Sequence, residues 1–363
     1  MFLRQPRSRN LIPVLLLLLI VGCKHSSVSD GGPAAAPART YRMGFGDNAP
    51  RPDFNVAVQT IHMWVLRADA AMLSGEPPWD SLLAGIPPES LVVNHELALV
   101  NYYRSNGIDL WIYLDPGNGL NRGGEADGLV RNGRSITESA IQRMYRRYAV
   151  VSDSILHPEH IGLALETNLI RAVSPAPLYQ AIRQVTNDAA ADVRARDPDV
   201  KLSVSVQVDQ AWGRLFGGPY EGVETDFADF PFMQELGLSS YPYLAHFARP
   251  EDIPPDYYSR LLGGRMIHPM VTEGGWTSTT IDTIVSSPEE QRRYIAWQAR
   301  LLDAASAIAV FQLTFTDIDL STYPQQYQGP LLPFASLGLV DVNLAPKPSL
   351  GAWDSLYALP RSP

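Results

Sequence analysis

Two glutamates in this chain stand where a strand-like run gives out. Glu166 follows the apolar run of Gly162-Leu-Ala-Leu-Glu166-Thr-Asn168, and Glu273 that of Met270-Val-Thr-Glu273-Gly-Gly-Trp276. A carboxylate at the carboxyl end of a buried parallel strand is where an α/β barrel keeps its chemistry. Two of them on different strands can divide the work of glycoside cleavage, one protonating the leaving oxygen and the other acting as nucleophile or base. Around them, Asp47, Glu76, Asp115, Gln207, Asp209, Tyr241, Tyr243, Thr316 and Asp317 also fall just past strand-like runs. Glu76, Asp115, Gln207, Tyr241, Tyr243 and Asp317 are therefore candidate substrate ligands, with Asn168 two places beyond Glu166. Trp212 and Trp276, with Trp79, are candidate platforms, because an aromatic face suits the apolar C–H face of a sugar ring.

Other local signals point away from other chemistries. Gly44-Phe-Gly46-Asp-Asn-Ala49 has the spacing of a dinucleotide loop, but Pro50 and Pro52 block the helix that should receive a pyrophosphate. Pro158 spoils His157-Pro-Glu-His160 as a helical metal pair. No Gly-x-Ser-x-Gly elbow or phosphate loop occurs. Gly117-Asn118-Gly119 reads as a turn. No metal or cofactor is expected.

The elements that must position the two glutamates alternate strand and helix, which implies a parallel sheet. Strands are expected at Arg42–Gly46, Ala70–Gly75, Ile108–Leu114, His160–Leu165, Leu202–Val208, Gly237–Tyr241, Met266–Thr272 and Ile308–Phe315. Helices are expected at Asn55–Arg67, Ser90–Ser105, Thr137–Ile155, Ala176–Arg196 and Pro288–Ala305. Eight such strands close naturally as a single-domain (β/α)8 TIM barrel of the α/β class. Glu166 and Glu273 are 107 residues apart, three strand-plus-helix units, which sets them across the barrel mouth from each other.

The chain has 363 residues, 45% of them apolar and 18% charged, as in an ordinary folded domain. Arg4, Arg7 and Arg9 precede an apolar run from Leu11 to Val21 that ends at Gly22-Cys23, the pattern of a secretory signal over 1–22. Ile20-Val21-Gly22-Cys23 resembles the lipobox of bacterial lipoproteins, which implies a lipid on Cys23 and anchoring to a membrane, the outer membrane or cell surface. Residues 23–40 are rich in Ser, Gly, Ala and Pro and read as a flexible tether. Residues 41–363 form the barrel. Removing a signal with three arginines and no acid moves the formal charge from −9 to −12, which argues against nucleic-acid partners. A carbohydrate substrate and a monomeric protein are expected.

A glutamate ending the fourth strand, one ending the seventh and Tyr241 ending the sixth resemble the clan A retaining glycoside hydrolases. The closing pattern Gly338-Leu-Val-Asp341, Lys347-Pro-Ser-Leu350 and Trp353 is similar to theirs. Within the clan, the arabinogalactan endo-β-1,4-galactanases of family 53 are nearest. The resemblance implies that Glu166 is the acid/base, Glu273 the nucleophile and Tyr241 the partner that orients Glu273. The clan usually places Asn before the acid/base, to bind the sugar 2-hydroxyl, where this chain has Leu165. Either Asn168 or Gln207 takes over that contact, or the site is altered and the chain is a carbohydrate-binding or scaffold lipoprotein on the same barrel.

Overall fold

The computed structural model describes residues 38–362; the signal segment, Cys23 and nearly all of the tether lie outside the described residues. Eight strands run β1 (Arg42–Gly46), β2 (Ala70–Gly75), β3 (Asp109–Leu114), β4 (His160–Gly162), β5 (Lys201–Gln207), β6 (Glu235–Ser240), β7 (His268–Gly274) and β8 (Ala309–Gln312). Each pairs in parallel with its sequence neighbours, and β1 pairs with β8, so the sheet closes into the expected (β/α)8 barrel. The strands are near-continuous apolar runs because both of their faces are covered. Helices form the outer ring, among them Phe54–Trp64, Ser139–Leu156, Ala176–Arg194 and Pro288–Ala304. The first starts where the Asp53 side chain accepts a hydrogen bond from Val56 N–H. The helix expected over Ser90–Ser105 is instead two, Pro88–His95 and Leu97–Ser105.

Inside the barrel, Met72, Trp111, Tyr113, Leu165, Met270 and Phe311 form a core separate from the larger one between sheet and helices. Tyr113 lies across the lumen and its hydroxyl is 2.6 Å from Ser203 Oγ. Two glycines make room for it: a Cβ on Gly162 would stand 2.0 Å from the Tyr113 ring, and one on Gly237 2.4 Å from its hydroxyl. At the amino-terminal end of the barrel, His160 stacks on Trp111 at 4.0 Å and its Nδ1 lies 2.6 Å from Glu235 Oε2. His160 is thus part of the barrel floor, while His157 caps a helix in the left-handed conformation.

Candidate active site

Local backbone irregularities aim both glutamates at the carboxyl end of the barrel. In β7, Leu238 pairs with Val271 but the next residue, Ser239, pairs with Glu273. Thr272 is the extra residue of a bulge. Val271 packs outward into the sheet–helix core; simple alternation would send Glu273 the same way, and the bulge re-aims it. Glu166 sits at φ 49°, ψ 45°, a left-handed conformation that non-glycine residues rarely adopt and that gathers at functional sites. It ends the strand run and begins the helix Thr167–Val173.

The two side chains line one cleft of about 780 Å³, together with Glu76, Asp115, Gln207 and Tyr241. The Glu166 carboxylate is buried and fully engaged. Arg122 Nε donates to its Oε2 at 2.7 Å, and the Ser239 hydroxyl donates to its Oε1. Arg122 also donates from Nη1 to Asp115 Oδ2. Burial opposes the charge of Arg122, but Asp115, Glu166 and Glu273 outweigh it and hold the guanidinium protonated. Ser239 is also the cross-strand neighbour of Glu273 in the β6–β7 ladder. Burial first, and the charge of Glu166 second, push Glu273 from the ordinary 4.5 up to about 7, against the pull of Arg122 and Ser239. Glu76 is likewise raised to about 7, by burial and then by Asp115. Burial, followed by Glu273 and Glu166, keeps the Tyr241 phenol protonated. Among the cleft-lining residues the acids are Glu76, Asp115, Asp127, Glu166 and Glu273, and Arg122 is the only arginine or lysine.

Several expected ligands serve the protein's own structure. Trp212 donates to Tyr257 C=O at 2.9 Å and lies beneath Arg260. Trp276 donates to Ser286 Oγ and packs on Tyr294. Trp79 is buried against Tyr145. Tyr243 is buried and bonds to Pro333 C=O at 2.9 Å. None of these four lines the cleft, because each ring points back into the packing between loops and helices. Asp317 accepts from Lys347 Nζ at 2.6 Å and from Gly338 N–H at 3.0 Å. The closing segment therefore clamps the loop after β8, and Asp317 is its anchor rather than a wall of the cleft. Asp209 is fully buried against Tyr257.

The expected substitutes for the missing asparagine are also engaged. Asn168 exchanges hydrogen bonds with the Gln207 backbone, 2.9 Å to its C=O and 2.8 Å from its N–H. The Gln207 amide lines the cleft but donates to Asp209 and caps Gln210 N–H. Leu165 itself lines the cleft.

Sequence reasoning missed Arg122 and Ser239. Arg122 rides on the loop that starts as the Gly117-Asn118-Gly119 turn. Asn118 organises that loop by accepting from Leu120 and Asn121 N–H and donating to Asp127. An arginine between asparagines and glycines just past a strand end was the available signal. Ser239 carried none, being one of two serines in an ordinary strand. Among the described residues, no group of three or more His, Cys, Asp or Glu side chains is placed to hold a metal ion.

No known protein family matches the sequence, and no curated protein does. Solved structures do match. The fold is similar to that of the exo-β-1,4-mannosidase Op5Man5 from Opitutaceae bacterium strain TAV5, with a TM-score of 0.63 and 15% identity over 89% of this chain and 60% of that one. It is similar to native xylanase 10B from Thermotoga maritima, with a TM-score of 0.60 and 14% identity over 88% of this chain and 95% of that one. A β-glucuronidase from an uncultured Clostridium matches with a TM-score of 0.58 and 14% identity, over 88% of this chain and 50% of that one. The chain thus spans 60% and 50% of the lengths of the mannosidase and the glucuronidase. At such identities the likeness establishes the barrel.

Proposed function

We propose that this protein is a retaining glycoside hydrolase acting on a β-linked glycan, with Glu273 as nucleophile and Glu166 as acid/base. The observation that carries the reading is convergence. Two carboxylates 107 residues apart line one cleft, close enough that the charge of Glu166 helps to raise the pKa of Glu273. A separation of roughly 5–5.5 Å between the carboxyl groups would suit direct nucleophilic attack, and one of roughly 6.5–9.5 Å inversion. The mannosidase, xylanase and glucuronidase names of similar barrels support the same class.

Glu273, raised to about 7, holds a proton near neutrality that the mechanism needs on Glu166. Ser239 offers the route. Its O–H passes to Glu166 Oε1 while the Glu273 carboxyl proton passes to Ser239 Oγ, leaving Glu273 ionised and Glu166 protonated. Glu273 then attacks the anomeric carbon as Glu166 protonates the departing oxygen, and a glycosyl ester forms. Glu166 next takes a proton from water, which hydrolyses the ester and restores Glu273. Tyr241, a protonated phenol near both carboxylates, would orient Glu273.

The test is azide rescue. With a glycoside bearing an activated leaving group, Glu273→Ala with azide should yield the glycosyl azide of inverted configuration. Glu166→Ala with azide should yield the retained one, because the ester still forms. Unchanged turnover in either variant without azide would remove the assignment. A second reading, a barrel that binds carbohydrate without cleaving it, draws on the Arg122–Glu166 ion pair and on Leu165. Tight binding of oligosaccharide by the unmutated protein with no product at any pH would favour it.

A family 53 endo-β-galactanase would release oligosaccharides from galactan in a screen that includes xylan, mannan and glucan. A lipid on Cys23 would hold the barrel on its tether at a membrane surface, and Cys23→Ser would then release the protein from the membrane fraction.

A further inference from the structure

The cleft combines acids with a broad carbon lining. Its acids lie on the segments after β2, β3 and β4 and near the end of β7. A wall of saturated and aromatic carbon is built by Leu169 and Val173 after β4, Leu215 after β5, Leu244 after β6, and Leu331 and Phe334 after β8. Leu169 and Val173 are four residues apart on the helix that begins at Glu166, so they share a face. They stand beside the group assigned to protonate the leaving oxygen, on the side where an aglycone departs. None of these six side chains is fully buried, and Val173 is 41% exposed.

The aliphatic part of this wall is a poor host for a pyranose ring. Branched aliphatic side chains present no flat face for a pyranose ring, and hydroxyls pressed against them lose water without gaining partners. None of the chain's tryptophans lines the cleft. Apolar surface inside a concave site is instead where an apolar ligand group is held. The cleft, at about 780 Å³, is larger than one sugar ring needs. With five lining acids against one arginine, it disfavours phosphate, sulfate or carboxylate on the ligand.

Resting on the hydrolase reading, we propose that the substrate is an amphiphilic glycoside. A neutral sugar occupies the acidic floor, and an apolar aglycone, alkyl or terpenoid in character, runs along the wall from Leu169 and Val173 past Leu244 to Phe334.

The test uses the full chain carrying Cys23→Ser, so that no acyl group of its own competes. The fluorescent apolar probe N-phenyl-1-naphthylamine is bound, then displaced by methyl, hexyl and octyl β-glucosides, β-galactosides and β-mannosides below their micelle concentrations. For at least one sugar, the dissociation constant should fall by about threefold to fourfold for each methylene buried. The Leu244→Asn/Leu331→Asn variant should flatten that series, as should the milder Val173→Asn. Affinity independent of chain length in the folded, unmutated protein overturns the inference. If methyl glycosides are still cleaved in that case, the hydrolase reading survives it. A steep series in which no member is hydrolysed upholds the amphiphile site and sinks the hydrolase reading.

Discussion

Ser239 and Glu273 are direct cross-strand partners in the β6–β7 ladder, and the Ser239 hydroxyl reaches on to Oε1 of Glu166. This pairing exists only because of the bulge at Thr272. Without the extra residue, Glu273 would follow Val271 to the outside of the sheet, and the two carboxylates would not line one cleft.

Replacing Ser239 with alanine should therefore do more than remove one hydrogen bond. The proton route between the carboxylates is cut, so kcat should fall between about ten- and a hundredfold with KM little changed. Ser239 also holds Glu273 down from an even higher pKa. The alkaline limb of kcat/KM, which follows loss of the proton the pair shares near pH 7, should move to higher pH in the variant. A fall in kcat with the limb unmoved would reduce Ser239 to packing.

Stability should drop as pH rises through neutrality. Glu273 and Glu76 are raised to about 7, and Asp47 and Asp209 to about 6, each mainly by burial. A carboxyl whose folded pKa lies above its unfolded value holds its proton more tightly when folded. Its contribution is complete below the unfolded value, near 4 to 4.5, and is lost as pH climbs through about 6 to 7. Glu273→Gln removes one such group. Urea unfolding should find that variant more stable than the parent at pH 8, by on the order of 1–2 kcal/mol, and little different at pH 4.

Arg122 should be costly to truncate. Its guanidinium joins Asp115 to Glu166, and all three side chains are nearly inaccessible to water. Arg122→Met leaves both carboxylates buried without their cation, a change that costs about 3–5 kcal/mol in comparable pairs. Denaturant unfolding at pH 7 measures it, and acid should narrow the gap as the orphaned carboxylates take up protons. A loss under 1 kcal/mol would mean the pair is already solvated.

The barrel was legible because parallel strands covered on both faces leave unbroken apolar runs; β1 and β2 fall where those runs predict, residue for residue. Glu166 and Glu273 were legible for the same reason, as the first charges after such runs. The orientation of the surrounding side chains was not. Trp212 and Trp276 follow strands as a sugar platform would, yet an aromatic at a strand end can turn toward the lumen or back under a helix, and the sequence is the same either way. Asp317 looked like a cleft acid until Lys347, 30 residues on, took it. Arg122 and the bulge at Thr272 depend on loop and register geometry, which hydrophobic periodicity does not encode.

Gly162 offers a test of how the floor beneath the site is built. It is the last residue of β4, and a methyl group there would stand 2.0 Å from the Tyr113 ring. Tyr113 cannot simply retreat, because its hydroxyl is fixed to Ser203 and Gly237 closes the other side. Gly162→Ala should cost about 3 kcal/mol through overpacking. Gly351, in the helix Pro348–Tyr357 with open space around its Cα, is the control, and its change to alanine should stabilise by roughly 0.5–1 kcal/mol. The double variant Gly162→Ala/Tyr113→Leu should recover part of the loss, giving a coupling energy of about 1 kcal/mol or more in a denaturation cycle. Simple additivity would show that the tyrosine is not what the glycine makes room for.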